Sequence, residues 1–376
     1  MKGPLSARQG ELAAAGTPTD SKSAVAAPRG LATPAFDAAT TASEVALGEL
    51  RRLLAAWRQH EPGARLGHDP EALHQLRVTT RRIDATLGLF RRQLPVALTH
   101  ARRTARSVLR TLGAARDLDV QLAELARHSL TLPESERAAV EPLRARLESE
   151  RCRARARMIR ALDSEPTRRW LETLTVASAA APSAAGAFGE RAMVVMPERV
   201  RRRFRKLRKS VRRLRSNSPM EDYHLVRRRA KQLRYAIESG ALIFGKPAED
   251  ELKALRRLQD ELGAHQDAYM ARNRLAALAA DPANELPAGT LFLMGRLAER
   301  HSTTTAQARK SLTRSWRKVR GQRWRALRSR LGELLDNARQ GSSAVIAEAV
   351  PAAPAPTLAA GYPHPAPEPQ PHPLEH

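Results

Sequence analysis

The chain repeats itself at long range. At a constant offset of 150 residues, His74 matches His224, Arg77 matches Arg227, and Arg81 matches Lys231. Arg51, Arg52 and Arg58 match Arg201, Arg202 and Arg208 at the same offset of 150. So do Arg106 and Arg256, Leu112-Gly113 and Leu262-Gly263, and Asp117 and Asp267. Farther on the offset drifts to 154, where Arg169-Trp170 meets Arg323-Trp324. A register kept over so long a stretch signals a duplication, so any fold must be buildable twice from one pattern.

That pattern is helical. Ala, Leu and Arg dominate, β-branched residues are sparse and strand alternation is absent. In HQLRVTTRR (residues 74–82) and its surroundings, Leu73, Leu76, Thr80, Ile83, Leu87 and Phe90 step by three and four, which makes a core seam. One residue round the helix run His74, Arg77, Arg81 and Asp84. In the second half Tyr223, Val226, Ala230, Leu233 and Ile237 face inward, flanked by His224, Arg227, Lys231 and Arg234. The cations therefore border the core, where they are partly desolvated and need anions. The densest run is RVRRRFRKLRKSVRRLR (residues 199–215), with eleven Lys/Arg and no acid, yet Val200, Phe204, Leu207, Val211 and Leu214 keep the seam. Like charges at this spacing weaken a helix, so the run suits a helix that meets a polyanion.

The fold expectation is all-α, with two helical bundles, each with a four-helix core, related by a pseudo-twofold axis around a basic groove or pore. Ser43 is placed as the first N-cap. Asp69-Pro70-Glu71 and the capping box Ser218-Pro219-Met220-Glu221 open the helices that carry the two histidines. In the first half a third helix runs through Leu98, Ala101, Ala105, Val108 and Leu112, a fourth covers about 119–128, and long ones follow at 134–162 and 166–176. Glycine at 113 and 263 predicts a close backbone approach or a break. Residues 1–42 (Ala/Thr/Pro-rich) and 337–376 (Pro/Ala-rich, closing on a tag-like LEH) read as disordered tails. The folded part spans 43–336, divided into a half 43–176, a low-complexity linker 177–195 and a half 196–336.

Charge narrows the function. Net charge is +26, and the two tails nearly cancel, so the excess belongs to the folded part. Such a surplus opposes compaction and points to a polyanion: nucleic acid, polyphosphate, an anionic membrane or heparin-like sugar. One cysteine, Cys152, excludes an intrachain disulfide framework and suits a reducing compartment. No apolar run is long enough to span a bilayer, and the N-terminus lacks a secretory h-region. No Walker loop, nucleophile elbow or HExxH occurs, and neither histidine has a second one at metal-binding spacing. Asp117, Asp119 and Asp267 are the one carboxylate region that a metal or a general base would need; the commoner use of such acids is to orient an arginine.

The paired motifs HQLRVTTRRIDATLGLF…LGAARDLDV and HLVRRRAKQLRYAIE…LQDELGAHQD resemble the CHAD domain, the conserved histidine α-helical domain, over roughly 43–336. The resemblance implies an all-α duplicated fold that binds inorganic polyphosphate, without catalysis or cofactor, and associates with cytoplasmic polyphosphate granules. Carried over by position, the implied binding residues are His74, Arg77, Arg81 and Arg82 in one half. Their counterparts are His224, Arg227, Arg228, Lys231 and Arg234. Arg51, Arg52, Arg201, Arg202, Arg205, Arg208 and Lys209 line the preceding helices, with Arg106, Arg116 and Arg256 on the later ones. Asp84 and Gln266 depart from the pattern, so unequal halves are expected. The N-terminal tail is too short for the triphosphate-processing CYTH domain often fused ahead of CHAD. Nonspecific DNA or RNA binding is the alternative, although stacking aromatics, which single-strand binders use, make up only 4% of the chain.

Overall fold

The computed structural model describes residues 39–179, 189–215 and 217–349. Of the expected tails (1–42 and 337–376), residues 1–38 and 350–376 lie outside them, as does the middle of the linker. Twelve α-helices are described: α1 Ala42–Leu66, α2 Pro70–Leu89, α3 Val96–Ser129, α4 Glu134–Arg137, α5 Glu141–Asp163, α6 Glu165–Ala179, α7 Ala192–Val211, α8 Met220–Glu238, α9 Ala241–Phe244, α10 Lys246–Ala280, α11 Ala288–Val319 and α12 Gln322–Ala349.

Local chemistry accounts for the boundaries, with corrections to the expected ones. Thr41 caps α1 in place of Ser43, because its hydroxyl accepts from Glu44 N–H (3.2 Å) while the Glu44 carboxylate takes the Thr41 N–H. Asp69 caps α2 as expected, accepting from Glu71 N–H at 2.8 Å ahead of Pro70. Ser218 does not cap α8. Its hydroxyl accepts from Arg215 N–H at 2.9 Å and closes the preceding turn. The expected third and fourth helices are one, α3. Gly113 stays helical because Ala114 and Ala115 follow it, and one helical glycine costs only about 1 kcal/mol. α12 runs on to Ala349, past the boundary expected at 336, because Leu334 and Leu335 continue its buried face and no proline intervenes before 351.

Helices α1, α2, α3, α5 and α6 pack on one another, as do α7, α8, α10, α11 and α12. Each set therefore has five long helices; in the first, these are the expected helices with the third and fourth joined as α3. Nearly all buried apolar residues form one contiguous core. In the first set Trp57 donates to Thr80 Oγ1 (3.1 Å) and meets Trp170 edge-on. In the second, Phe204 stacks on Trp324 with ring centroids 3.5 Å apart. The sets are stitched where α1 and α7 begin: Ala42 N–H donates to Glu190 O and Ala192 N–H to Thr40 O, both at 2.9 Å. α2 also touches α8, and α11 covers the turn at Ala138–Val140, where Thr290 Oγ1 donates to Ala139 O at 2.9 Å.

Candidate functional site

The α2 seam is buried as the spacing requires, which leaves His74, Arg77 and Arg81 half-buried along its border. Arg77 lies across α3 at Gly113: a Cβ there would stand 3.5 Å from Arg77 Nε, and Asp117, one turn on, is 3.9 Å from Arg77 Nη2. α8 repeats the arrangement on α10. A Cβ on Gly263 would stand 3.8 Å from Arg227 Nη2, and His224 Nδ1 lies 3.2 Å from Gln266 Oε1. The glycines thus mark a close approach, of an arginine over a helix, and no break. The buried Arg227 Nε–H has no acceptor among the described residues.

Other residues of the expected site are occupied by the protein itself. Glu238 holds Arg82 of α2 (3.3 Å) and Arg234 of its own helix (3.4 Å), so the carboxylate ties α2 to α8. Asp84 takes Arg106 at 3.1 Å together with Arg102 at 2.8 Å. Glu49 takes Arg52 through both oxygens. Arg201 donates to the Arg328 carbonyl of α12 at 3.3 Å. Arg116 and Arg256 are half-buried, and Arg51 is exposed on α1.

The basic run on α7 forms a second surface. Arg202, Arg205, Arg208 and Lys209 are exposed, and so is Arg228. α7 packs on the flank of α8 that carries Arg229, whose Nη1 donates to Lys206 O at 3.0 Å and also to Ser210 Oγ. Arg227 lies about half a helical turn away from that flank, so these α7 cations do not share the Arg227 side of α8. The carboxylates act mainly as partners of arginine. Asp119, only 7% exposed at its side chain, stands 3.8 Å from Arg151. Burial raises its pKa, with Arg116, Arg151 and Arg155 working against that.

Two arginines outside the expected set complete a cationic cluster. Arg199 is buried, lies over the Phe90 ring and donates to Gln93. Burial lowers its pKa to about 10, with Arg202 and Arg92 adding to the effect and Glu190 opposing it. Arg203 is likewise lowered to about 10 by burial and then by Arg202, Arg199 and Arg102. The repeat hides both, since their partners at offset 150 are Glu49 and Leu53. The usable signal is their position beside the α7 seam at Val200 and Phe204.

Among the described residues there is no group of three or more His, Cys, Asp or Glu side chains able to hold a metal, and no helix long and apolar enough to cross a membrane. Arginine and lysine side chains can hold anions by ionic contacts and N–H donation, Arg acting as a fork and Lys as a point charge.

Comparison with known proteins agrees with this architecture. The crystal structure of the CHAD domain from the plant Ricinus communis is similar, with TM-score 0.56 and 26% identity, over 82% of this chain and 97% of that one. PptA from Streptomyces chartreusis shares the fold, with TM-score 0.56 and 21% identity over 74% of this chain and 99% of that one. An uncharacterized protein of Mycobacterium tuberculosis (strain CDC 1551 / Oshkosh), MT2285, is 30% identical over 259 residues, 66% of this chain. The chain spans about half (48%) of that relative's length. The family model for the CHAD domain matches residues 48–276. With its helical fold and the histidine–arginine motifs on α2 and α8, the chain belongs to the CHAD domain family, whose known property is polyphosphate binding.

Proposed function

We propose that this protein binds inorganic polyphosphate without transforming it. The observation that carries the reading is the twofold placement of an arginine over a helical glycine: Arg77 over Gly113 and Arg227 over Gly263. His74 and Arg81 flank the first, His224 and Lys231 the second. Polyphosphate offers a charged acceptor at every unit, with no base to read and no ring to stack, and paired stripes of Arg and Lys follow such a chain well. In this reading α2 and α8 provide the primary groove, with Arg228, Arg116 and Arg256 beside it. Arg51, Arg202, Arg205, Arg208 and Lys209 extend contact outside it. Arg52, Arg82, Arg106, Arg201 and Arg234 position the framework through the partners described above.

We also read the two five-helix sets as copies related by a pseudo-twofold axis, within a folded unit that begins near 43 and divides between α6 and α7, which both reach into the linker expected at 177–195. The reciprocal bonds between the starts of α1 and α7 support this: Thr41 and Arg191, which they pair, are themselves 150 residues apart. Targeting to polyphosphate granules in the cytoplasm follows as the biological role of such a module.

Competition binding near physiological salt tests the reading, with long-chain polyphosphate, duplex DNA and RNA as competitors and phosphate release followed in parallel. Polyphosphate should win and remain intact. Equal or tighter binding of nucleic acid refutes the assignment, and metal-dependent phosphate release makes the protein an enzyme.

A further inference from the structure

A separate cavity of about 500 Å³ lies between the two helix sets, formed by α3, α5, α10 and α11. Its walls differ in kind from the cationic groove. Six of the lining residues are leucines, among them Leu125, Leu147 and Leu275. Such a wall contributes nothing to a chain made only of phosphate oxygens, but it stabilises an aliphatic body by removing it from water.

The polar part of the lining is biased towards anions. Arg300 of α11 donates to Nδ1 of His128 on α3 at 3.0 Å. A guanidinium only donates, so Nδ1 is the acceptor and the neutral ring carries its proton on Nε2. That Nε2 is buried and has no acceptor among the described residues. The Thr131 hydroxyl cannot serve His128 Nδ1 as a donor, because it donates to the His128 carbonyl at 2.7 Å.

The other charges around the cavity have partners. Arg127 stands 4.0 Å from Glu124, and Arg274 bonds to Glu150. Arg300 is in salt-bridge contact with no carboxylate among the described residues. The local field agrees: His128 is held below its ordinary pKa by burial and then by Arg300, Arg296 and His301. His301, which also lines the cavity, is lowered by burial and then by Arg300. Burial also raises the pKa of Glu124, with Arg127 and Arg300 working against that, and Asp267 is the other acid of the lining.

We propose that this cavity binds a small amphipathic anion, with its aliphatic body against the leucines and its carboxylate or phosphate-ester head at Arg300 and His128. The ligand is distinct from polyphosphate, and its site lies where the two helix sets meet.

Calorimetric titration of the full chain tests it, with decanoate, decyl phosphate and decanol as probes. At least one of the two anions should bind saturably, one per chain, and about tenfold tighter than decanol, the difference of a single well-made ionic contact. Comparing the two anions identifies the head group. Arg300→Met should remove that preference for the anion. Ala271→Phe, which fills the cavity from a small lining residue, should abolish binding while the circular dichroism spectrum and polyphosphate affinity stay unchanged. Failure of both anions to saturate, binding that survives Ala271→Phe, or decanol binding as tightly as the anions would each overturn the proposal. A parallel loss of polyphosphate affinity in Ala271→Phe would also overturn it, by making the cavity part of the groove.

Discussion

At the scale of single residues, the least expected group is Glu251 of α10. It is fully buried, neither carboxylate oxygen has a hydrogen-bond partner among the described residues, and burial drives its pKa up to about 9 despite Arg323. The folded protein therefore holds this acid protonated at neutral pH. The unfolded chain releases the proton near the ordinary glutamate value, so stability is highest at low pH and is lost as pH rises towards 9. Glu251→Gln removes the titration without changing shape. The variant should match the wild type in denaturant unfolding near pH 4.5 and exceed it by about 3 kcal/mol at pH 7, with the gap widening to pH 8. A gap that does not change with pH would show that Glu251 is already charged in the fold. His265 behaves in the opposite sense. Burial and then Arg309 lower its pKa to about 4, so its contribution is lost as pH falls through the range between 6.5 and 4. Denaturant unfolding of His265→Gln should show a shallower loss of stability over that range. Both residues were in part legible, because their partners at offset 150 are Ala101 and Ala115, which are core residues. A pattern of polar and apolar letters reads Glu and His as solvent-facing. The alanines at offset 150 suggest instead that they point inward, as their burial shows.

At the scale of elements, the helical seams and the cap at Asp69 could be read from spacing and side-chain chemistry alone. The long helices could not be counted correctly, because a lone glycine is weak evidence of a break. What Gly113 and Gly263 accommodate is an arginine from the neighbouring helix, and an added Cβ would make only ordinary contact with it. Gly113→Ala should therefore raise stability by about 0.5–1 kcal/mol, the helix-propensity gain, as read by thermal unfolding. Gly113→Leu should instead displace the Arg77 guanidinium and weaken polyphosphate binding while the helix content persists. Destabilisation by alanine would mean that the backbones pack more tightly here than these distances allow. Gly67 differs: it ends α1 at φ 76°, and any side chain there would collide with the Arg155 guanidinium.

At the scale of the whole molecule, the excess positive charge is organised by a few carboxylates that serve as joints. Glu238 clamps Arg82 and Arg234 across the α2–α8 contact and thereby removes two cations from the ligand's reach. Glu238→Gln should lower unfolding stability by about 1 kcal/mol. It should also tighten polyphosphate binding, with a steeper salt dependence because more counterions are released. Weaker binding in that variant would show that the clamp shapes the groove more than it competes for it. Arg77→Ala combined with Arg227→Ala should weaken polyphosphate binding in a competition assay while thermal stability holds or rises. Loss of folding would make the stripe structural.

The sequence by itself determined the helical class, the inward faces and the half-buried border of α2, because each follows from spacing along one chain. It also carried the two histidine–arginine motifs. Tertiary structure decided which cations meet carboxylates: Asp84 with Arg102 and Arg106, and Glu238 with Arg82 and Arg234. It also placed Arg199 and Arg203 in one cluster and put the α7 run on the other flank of α8 from Arg227. The physical reason is that an ion pair between helices depends on how they cross and rotate. Helical periodicity sets only the direction each residue takes from its own axis.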